Sequence, residues 1–182
     1  MNQSLPDPDR AAQARALCDQ GAWPEVLALT EGWRAGLPDD PKAWFYHGAA
    51  LAALGRFMEA DTAYRRSLAL DPKDAKTWNN LAKLSFEALE RPAEAMRCLQ
   101  QLLSLDPKNK LAWVNLGSLL GKLGRHEDAL KCADKALALD AHMSLALVLR
   151  ARAAQGLGRT EILKETSAIL AQLPPEKFSR VP

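Results

Sequence analysis

Three tryptophans each begin a similar, largely apolar segment, and this repetition constrains the fold more than any other feature of the chain. The segments are WFYHGAALAALG from Trp44, WNNLAKLSFEAL from Trp78 and WVNLGSLLGKLG from Trp113, and the first two tryptophans stand about 34 residues apart. A unit of that length is too short to bury a core of its own, so neighbouring units must stack on one another. We therefore expect an array of repeats.

Aligning the chain on the tryptophans gives five repeats flanked by tails. The repeats are residues 7–40, 41–74, 75–109, 110–143 and 144–177, and the tails are residues 1–6 and 178–182. The eighth position of every repeat is small, as expected where two helices approach closely: Ala14, Gly48, Ala82, Gly117 and Ala151. A glycine predicts the end of the first helix in four repeats, Gly21, Gly55, Gly124 and Gly158. In the third repeat, Leu89 and Glu90 absorb a one-residue insertion.

The segment after each turn has the features of a second helix. Acidic residues such as Glu59 and Glu94 stand where it begins, and the positive end of a helix dipole favours them there. Apolar residues then recur at intervals of three and four, as in Ala60, Tyr64 and Leu68, which is the period of a buried helical stripe. No alternating strand pattern competes, so the sequence predicts an all-α protein with two helices per repeat.

These residues resemble the tetratricopeptide repeat, a pattern of about 34 residues with a tryptophan, a leucine and glycine, two alanines, an aromatic residue and a closing proline. The resemblance covers nearly the whole chain. It is most complete in the second and fourth repeats, which supply Trp44, Gly48, Gly55, Ala60, Tyr64 and Pro72, and then Trp113, Leu116, Gly117, Gly124, Ala129 and Ala136. It implies a right-handed all-α solenoid of five helix-turn-helix repeats, the last and first of them degenerate. It also implies a non-catalytic protein-binding module, although the fold does not fix the partner.

The terminal repeats depart from the pattern, as expected where one face of a repeat meets water. Arg10 stands at the position of the first tryptophan, and Leu147 and Arg150 replace the tryptophan and a leucine of the last repeat. The last second helix still keeps an apolar stripe that ends in Ile169 and Leu173, with no sixth repeat to cover it. Two interpretations stay open: the tail LPPEKFSRVP folds back over this stripe, or the stripe is an edge at which two copies associate.

Composition narrows the classes of function. The 182 residues, 48% hydrophobic and 25% charged, have the balance of one folded domain, and a net charge of +2 gives no sign of a nucleic-acid binder. Cys18, Cys98 and Cys132 lack C-x-x-C spacing, which argues against a zinc knuckle and favours a reducing compartment. Neither a signal peptide nor a run of about 18 apolar residues occurs, so we expect a cytoplasmic protein without membrane insertion. A mature form that had lost an export signal would look the same.

In the tetratricopeptide family, particular positions of the first helices line a concave groove, and the resemblance implies the same stripe here. The candidate peptide-binding residues are Lys42, Tyr46, Lys76, Asn79, Asn80, Lys83 and Asn115, beside Phe45, Ser118 and Lys122. Arg15 and Arg152 extend the stripe, and its acids are Asp19 and Glu87. Because the stripe is predominantly basic, we expect a protein or peptide partner that is acidic or ends in a carboxylate.

Asn80 and Asn115 occupy one position in adjacent repeats, so we expect their amides to stack in the groove. An amide donates and accepts hydrogen bonds, which lets it hold an extended backbone without reading its sequence. The arrangement resembles the asparagine ladder of glycosyltransferases that carry these repeats; the alternative is that both amides are solvated. A chaperone-tail clamp is not predicted, because Ala11 or Phe45 stands where its first lysine belongs.

The other chemistry-bearing residues indicate no catalytic or metal site. Trp44, Trp78 and Trp113 are explained by packing, whereas Trp33 replaces an expected alanine and is a candidate partner contact. His47 stands where leucine usually packs and is interpreted as a partly buried, hydrogen-bonded histidine. No side chains have metal-ligand spacing and no Ser-His-Asp set stands out, so we expect no cofactor, no metal and no enzyme activity.

The sequence therefore favours an adaptor that holds an extended or helical segment of a partner in a mildly basic groove. The alternative is a structural scaffold that forms a homo-oligomer through its terminal repeats. Binding of RNA ranks below both, because the groove offers few aromatic side chains for base stacking.

Overall fold

The computed structural model describes residues 7–173, and those residues form helices without strands. The helices come in pairs that begin at the first residues of the five sequence repeats. They are α1 Asp7–Asp19, α2 Trp23–Gly36, α3 Pro41–Ala53, α4 Phe57–Leu70, α5 Ala75–Glu87, α6 Pro92–Leu105, α7 Lys110–Lys122, α8 His126–Leu139, α9 Ser144–Gly156 and α10 Thr160–Gln172. We call the odd-numbered helices first helices and the even-numbered ones second helices. The predicted tails, and the fold-back of the segment after Leu173, lie outside the described residues.

The chain divides into two compact units between Cys98 and Leu99, within α6. In the first unit each second helix contacts the first helix of its own pair and that of the next, and α3 also contacts both α1 and α5. In the second unit α8 contacts α7 and α9, α9 contacts α10, and α7 contacts α9. A single domain over residues 7–177 stays a prediction. Among the described residues, no helix is long and apolar enough to cross a bilayer.

Polar side chains of the connecting loops fix where three first helices begin. The Asp40 carboxylate accepts a hydrogen bond from the Lys42 backbone N–H at 2.9 Å, and Asp74 caps α5 in the same way. The Asn109 side chain accepts from the Ala112 N–H at 3.0 Å. These bonds satisfy N–H groups that have no partner in the first turn of a helix.

Residues with positive φ end the first helices. The four predicted glycines have φ angles of 67 to 77°. In the third repeat Glu90 takes this conformation, with φ 53°, and it is the one non-glycine residue to do so among those described. An L side chain at positive φ crowds the following carbonyl, so the insertion in this repeat carries a local strain.

The small residues at the eighth position let the two helices of a repeat approach closely, as the sequence predicted. A Cβ added at Gly48 would lie 2.9 Å from the Tyr64 ring. One added at Gly117 would lie 2.9 Å from Cys132 Cβ and 2.5 Å from Leu149 Cδ2. Contacts of that length do not occur between real side chains, so these two positions require glycine for the observed packing.

The three repeated tryptophans also tie the loops to the helices. The indole N–H groups of Trp44, Trp78 and Trp113 donate to the carbonyls of Pro38, Pro72 and Pro107 at 2.6, 2.9 and 2.9 Å. All three rings are half-buried rather than fully buried. The last repeat lacks both partners, since Ala141 and Leu147 replace the proline and the tryptophan. Packing alone therefore does not account for these tryptophans.

We expect Glu90→Gly to raise the free energy of unfolding by about 1 kcal/mol, because glycine adopts positive φ without strain. Urea unfolding measures the change. The control is Arg97→Gly at an exposed position inside α6, which should lower stability by about 1 kcal/mol. Destabilisation by both substitutions would show that Glu90 is not strained.

Trp78→Phe should lower the free energy of unfolding by about 1 kcal/mol more than Trp23→Phe does. Both changes shrink a half-buried ring, but only Trp78 loses a hydrogen bond, leaving the Pro72 carbonyl without its indole donor. Chemical denaturation of the two variants gives the comparison, and equal losses would contradict a role for this bond.

Candidate functional site

The first helices of the first unit present a mixed aromatic, amide and basic surface. We call it the first-helix face, and define it by Arg15, Cys18 and Asp19 of α1, Lys42, Phe45 and Tyr46 of α3, and Lys76, Asn79, Asn80, Lys83 and Glu87 of α5. The charged members are exposed, whereas the aromatic, amide and thiol members are half-buried. Because α3 contacts both α1 and α5, these side chains belong to one layer of helices. Six of the seven predicted peptide-binding residues lie on α3 and α5 of this layer.

Aromatic rings form a continuous chain through this layer. Trp33 stacks on Tyr46 with ring centroids 6.4 Å apart, and Tyr46 meets Phe45 edge-on at 5.1 Å. Phe45 in turn lies 6.3 Å from Tyr64 of α4. Such offset and edge-on pairs are attractive geometries for rings, so the chain holds Phe45 and Tyr46 in place while leaving each partly exposed.

Tyr64 joins the ring chain to the next repeat. Its side chain is buried, and its ring lies where a Cβ of residue 48 would stand. The Asn80 amide donates to the Tyr64 hydroxyl across a long hydrogen bond of 3.5 Å. Burial raises the pKa of Tyr64 above its ordinary value, so this hydroxyl stays neutral. Asn80 therefore has a side-chain partner within the protein.

Cys18 of α1 closes the other side of this cluster. Burial raises the pKa of Tyr46, and a thiolate at Cys18 would raise it further, as it would that of Tyr64. Asp19 and Arg15 act on Tyr46 with opposite signs. Tyr46 also packs against the buried cluster of Ala14, Trp33 and Ala43, and Cys18 lies one helical turn after Ala14 on α1. The cluster therefore receives residues from all three first helices of the unit and from α4.

The cations of the face are available to a partner. Among the described residues of this unit, the ion pairs join other side chains, chiefly on the second helices, such as Arg56 to Glu59 and Arg65 to Asp61. The exposed cations Arg15, Lys42, Lys76 and Lys83 outnumber the exposed acids Asp19 and Glu87. The face is therefore polar and predominantly basic, as the sequence indicated.

Several predicted contacts lie elsewhere. Asn115 is exposed on α7 in the second unit, so the predicted stacking of its amide on Asn80 stays a prediction. At the proposed self-association edge, Ile169 is half-buried and Leu173 is buried at 9% exposure.

The prediction that Trp33 contacts a partner is wrong. Trp33 is 1% exposed, and its indole N–H donates to Asp40 at 3.1 Å. It is a core residue of the first unit.

His47 is buried beside this face, as its interpretation from sequence required. Its Nδ1 lies 2.9 Å from the Thr30 hydroxyl oxygen, and that hydroxyl donates to the Leu27 carbonyl at 3.0 Å. Burial, together with Arg34 and Arg56, lowers the pKa of His47 from 6.5 to about 4. The imidazole is therefore neutral near pH 7 and acts as a packing residue.

The cysteines and other potential metal ligands of the described residues form no further site. Cys18, Cys98 and Cys132 are free thiols, and burial raises the pKa of Cys98 and Cys132 to about 11, which keeps both protonated. Within residues 7–173, no group of His, Cys, Asp and Glu side chains has an arrangement that could hold a metal ion.

Arg150 replaces a leucine of the repeat pattern and has a structural role. It donates hydrogen bonds to Asp134 at 3.1 Å and to Thr166 at 3.0 Å, and so joins α8 to α10.

Comparison with known protein families identifies the repeats. Models described as tetratricopeptide repeats match residues 41–84, 75–109 and 111–143, which together span more than half of the chain. The chain belongs to the tetratricopeptide repeat family. Members of this family are in general non-catalytic modules for protein-protein interaction. Among curated proteins, none matches this chain significantly by sequence.

Solved structures share the fold of this tetratricopeptide repeat protein at low sequence identity. One described as "Crystal structure of MamA protein" is 16% identical, with 96% of each chain covered and a TM-score of 0.78. PilF of Pseudomonas aeruginosa is 17% identical over 93% of this chain and 78% of that one, with a TM-score of 0.81. YrrB is 17% identical over 92% and 86%, at 0.73. The predicted fold class, an all-α tetratricopeptide repeat solenoid, is confirmed.

Acidification should destabilise the protein through His47. The unfolded imidazole gains its proton near pH 6.5 and the folded one only near pH 4, so stability is lost as pH falls through this window. Between about pH 7 and pH 4.5 the loss from this residue is on the order of 2 kcal/mol.

Urea unfolding of wild type and His47→Leu at both pH values isolates this contribution from that of the carboxylates. His47→Leu should lose less stability on acidification than wild type, whereas His142→Leu, at an exposed histidine, should lose as much. Identical pH profiles for wild type and His47→Leu would contradict the assignment.

Proposed function

We propose that this tetratricopeptide repeat protein is a non-catalytic adaptor, and that the first-helix face holds an acidic segment of a partner protein. The observation that carries the proposal is the cluster of Phe45, Tyr46 and Asn80 within a border of exposed cations. Aromatic side chains are enriched at protein-binding surfaces. Enzyme activity has no support from the residues of this face.

The side chains of the face have distinct roles in the proposal. The Asn80 amide, oriented by its bond to Tyr64, would bond the backbone of an extended segment, and Asn79 stands beside it. Lys42, Lys76 and Lys83 would attract acidic side chains. The N-termini at which Lys42 and Lys76 stand are already capped by aspartates, so the attraction of these lysines for an anion comes from their own exposed ammonium groups.

The family comparison supports peptide binding in general terms. YrrB, which has the same fold, is described as a TPR protein with an unusual peptide-binding site. That description belongs to YrrB, and at 17% identity it says nothing about which residues of this chain bind a peptide. The partner is therefore defined here by its chemistry, as a segment rich in Asp and Glu.

Self-assembly through the terminal repeats is the alternative proposed from the sequence. Ile169 and Leu173 are the candidate edge; Ile169 is half-buried, and Leu173 is buried and offers little apolar surface to a second copy. We therefore rank the alternative below peptide binding. Light scattering after gel filtration at increasing concentration distinguishes a constant monomer from an associating chain.

Charge reversal on the face should weaken binding of an acidic peptide. We expect Lys42→Glu with Lys83→Glu to reduce affinity for a fluorescein-labelled Asp/Glu-rich peptide by about tenfold or more. The matched control is Arg97→Glu with Lys135→Glu, which makes the same charge change at exposed positions of second helices. Fluorescence anisotropy at low and at physiological salt measures both, since salt screens contacts between exposed charges.

The proposal needs loss of binding in the first variant and retention in the control. Equal losses would mean that net charge alone drives association, and the first-helix face would then not be the site. Binding of wild type that does not weaken with salt would contradict the assigned role of the lysines.

A further inference from the structure

The first-helix face has exposed cations and a partly exposed apolar centre. A purely acidic segment would interact favourably with the cations but not with the apolar centre. The cations of the face are exposed, but its centre is apolar, because Phe45 and Tyr46 are large side chains that keep part of their surface open. A segment made only of Asp and Glu would place charged groups over these rings and leave their apolar surface in contact with water.

The apolar centre is built into the fold. Phe45 contacts Tyr46 on one side and Tyr64 on the other, and Tyr46 is backed by the buried Trp33. The rings therefore cannot turn inward to bury their open surface, since the space behind them is filled. Tyr46 packs against a buried cluster that includes Ala14, and the half-buried Cys18 lies one helical turn after Ala14. Asn80 borders the rings from α5.

Small side chains on α3 limit the size of this centre. The next positions of the same stripe are Ala49, Ala52 and Ala53, and no further large apolar side chain of α3 continues the patch. On α3 the open ring surface is that of Phe45 and Tyr46, and it matches one large side chain of a partner. Phe86 holds the position of Ala52 in the next repeat and is also half-buried. The surrounding cations then act on residues on either side of it.

We infer that the partner segment carries an aromatic anchor, seated against Phe45 and Tyr46, with acidic residues flanking it. This inference rests on the proposed function and specifies its ligand. Edge-on or offset contact with the two rings would hold the anchor, and Arg15, Lys42, Lys76 and Lys83 would hold the flanking carboxylates. Cys18 lies beside the position inferred for the anchor, so a bound anchor would shield the Cys18 thiol.

Three short synthetic peptides test the inference on the full-length protein. One alternates Asp and Gly around a central Phe, the second replaces that Phe by Gly, and the third keeps the Phe but replaces every Asp by Ser. We expect the first to bind about tenfold more tightly than the second or the third. Calorimetry gives the affinities.

Alkylation of Cys18 reports where the peptide binds. Cys98 and Cys132 are buried, at 4% and 6% exposure, so they serve as internal references in mass spectrometry after brief treatment with N-ethylmaleimide. The first peptide should slow the labelling of Cys18 and leave the references unchanged. Phe45→Ala should abolish its advantage over the Gly-centred peptide, whereas Phe57→Ala, at another partly exposed Phe of the same unit, should not.

The possible results distinguish failure of the aromatic anchor from failure of the proposed binding of acidic segments. If both acidic peptides bind equally and protect Cys18 equally, the anchor is overturned and the acidic adaptor stands. If neither acidic peptide binds, the proposed function fails and the inference falls with it. The comparison of peptides on wild type decides the question even if Phe45→Ala does not fold.

Discussion

The site depends on one close approach, between α3 and the Tyr64 ring of α4. The ring occupies the space that a Cβ at residue 48 would need, at 2.9 Å, so only glycine at that position allows it. From there the Tyr64 side chain spans the layer: its ring meets Phe45 and its hydroxyl accepts from Asn80 of α5. A packing constraint within one repeat thereby positions side chains of two neighbouring first helices.

The second unit has the same kind of close approach at a glycine, but different side chains lie against that glycine. Gly117 also allows a close approach, but the side chains that fill the space are Cys132 and Leu149 rather than a ring. Both are buried, and they provide neither an aromatic chain nor a hydroxyl. Equivalent backbone geometry therefore supports only packing there, and it supports a polar and aromatic site in the first unit.

Fold and site differ in how far the sequence predicts them. The period of the tryptophans, the small eighth residues and the glycine turns predict the helix pairs, because each reflects a local requirement of backbone or packing. His47 was also interpreted correctly, since a lone histidine at a leucine position usually finds a hydrogen-bond partner. These inferences need only the repeat register.

The errors and omissions involve contacts between repeats. Trp33 looked like a partner contact because it replaced an alanine, but Tyr46 of the next repeat and Asp40 of the loop bury it. Tyr64 was assigned only to a buried stripe, so its link to Asn80 was missed. The pairing of Gly48 with an aromatic residue on the second helix was the available signal. The tryptophan bonds to loop prolines were likewise hidden, although both residue types recur in register.

The central claim is that a partner occupies the first-helix face of the first unit. Its most direct test replaces single residues by photoreactive p-benzoylphenylalanine, at Lys83 on that face or at Arg97 on α6, and irradiates each protein in native cell extract. The account predicts that one partner protein crosslinks from position 83 and not from position 97, and that its crosslinked peptide is acidic. A partner that crosslinks only from position 97 would place binding on the second helices and contradict the account.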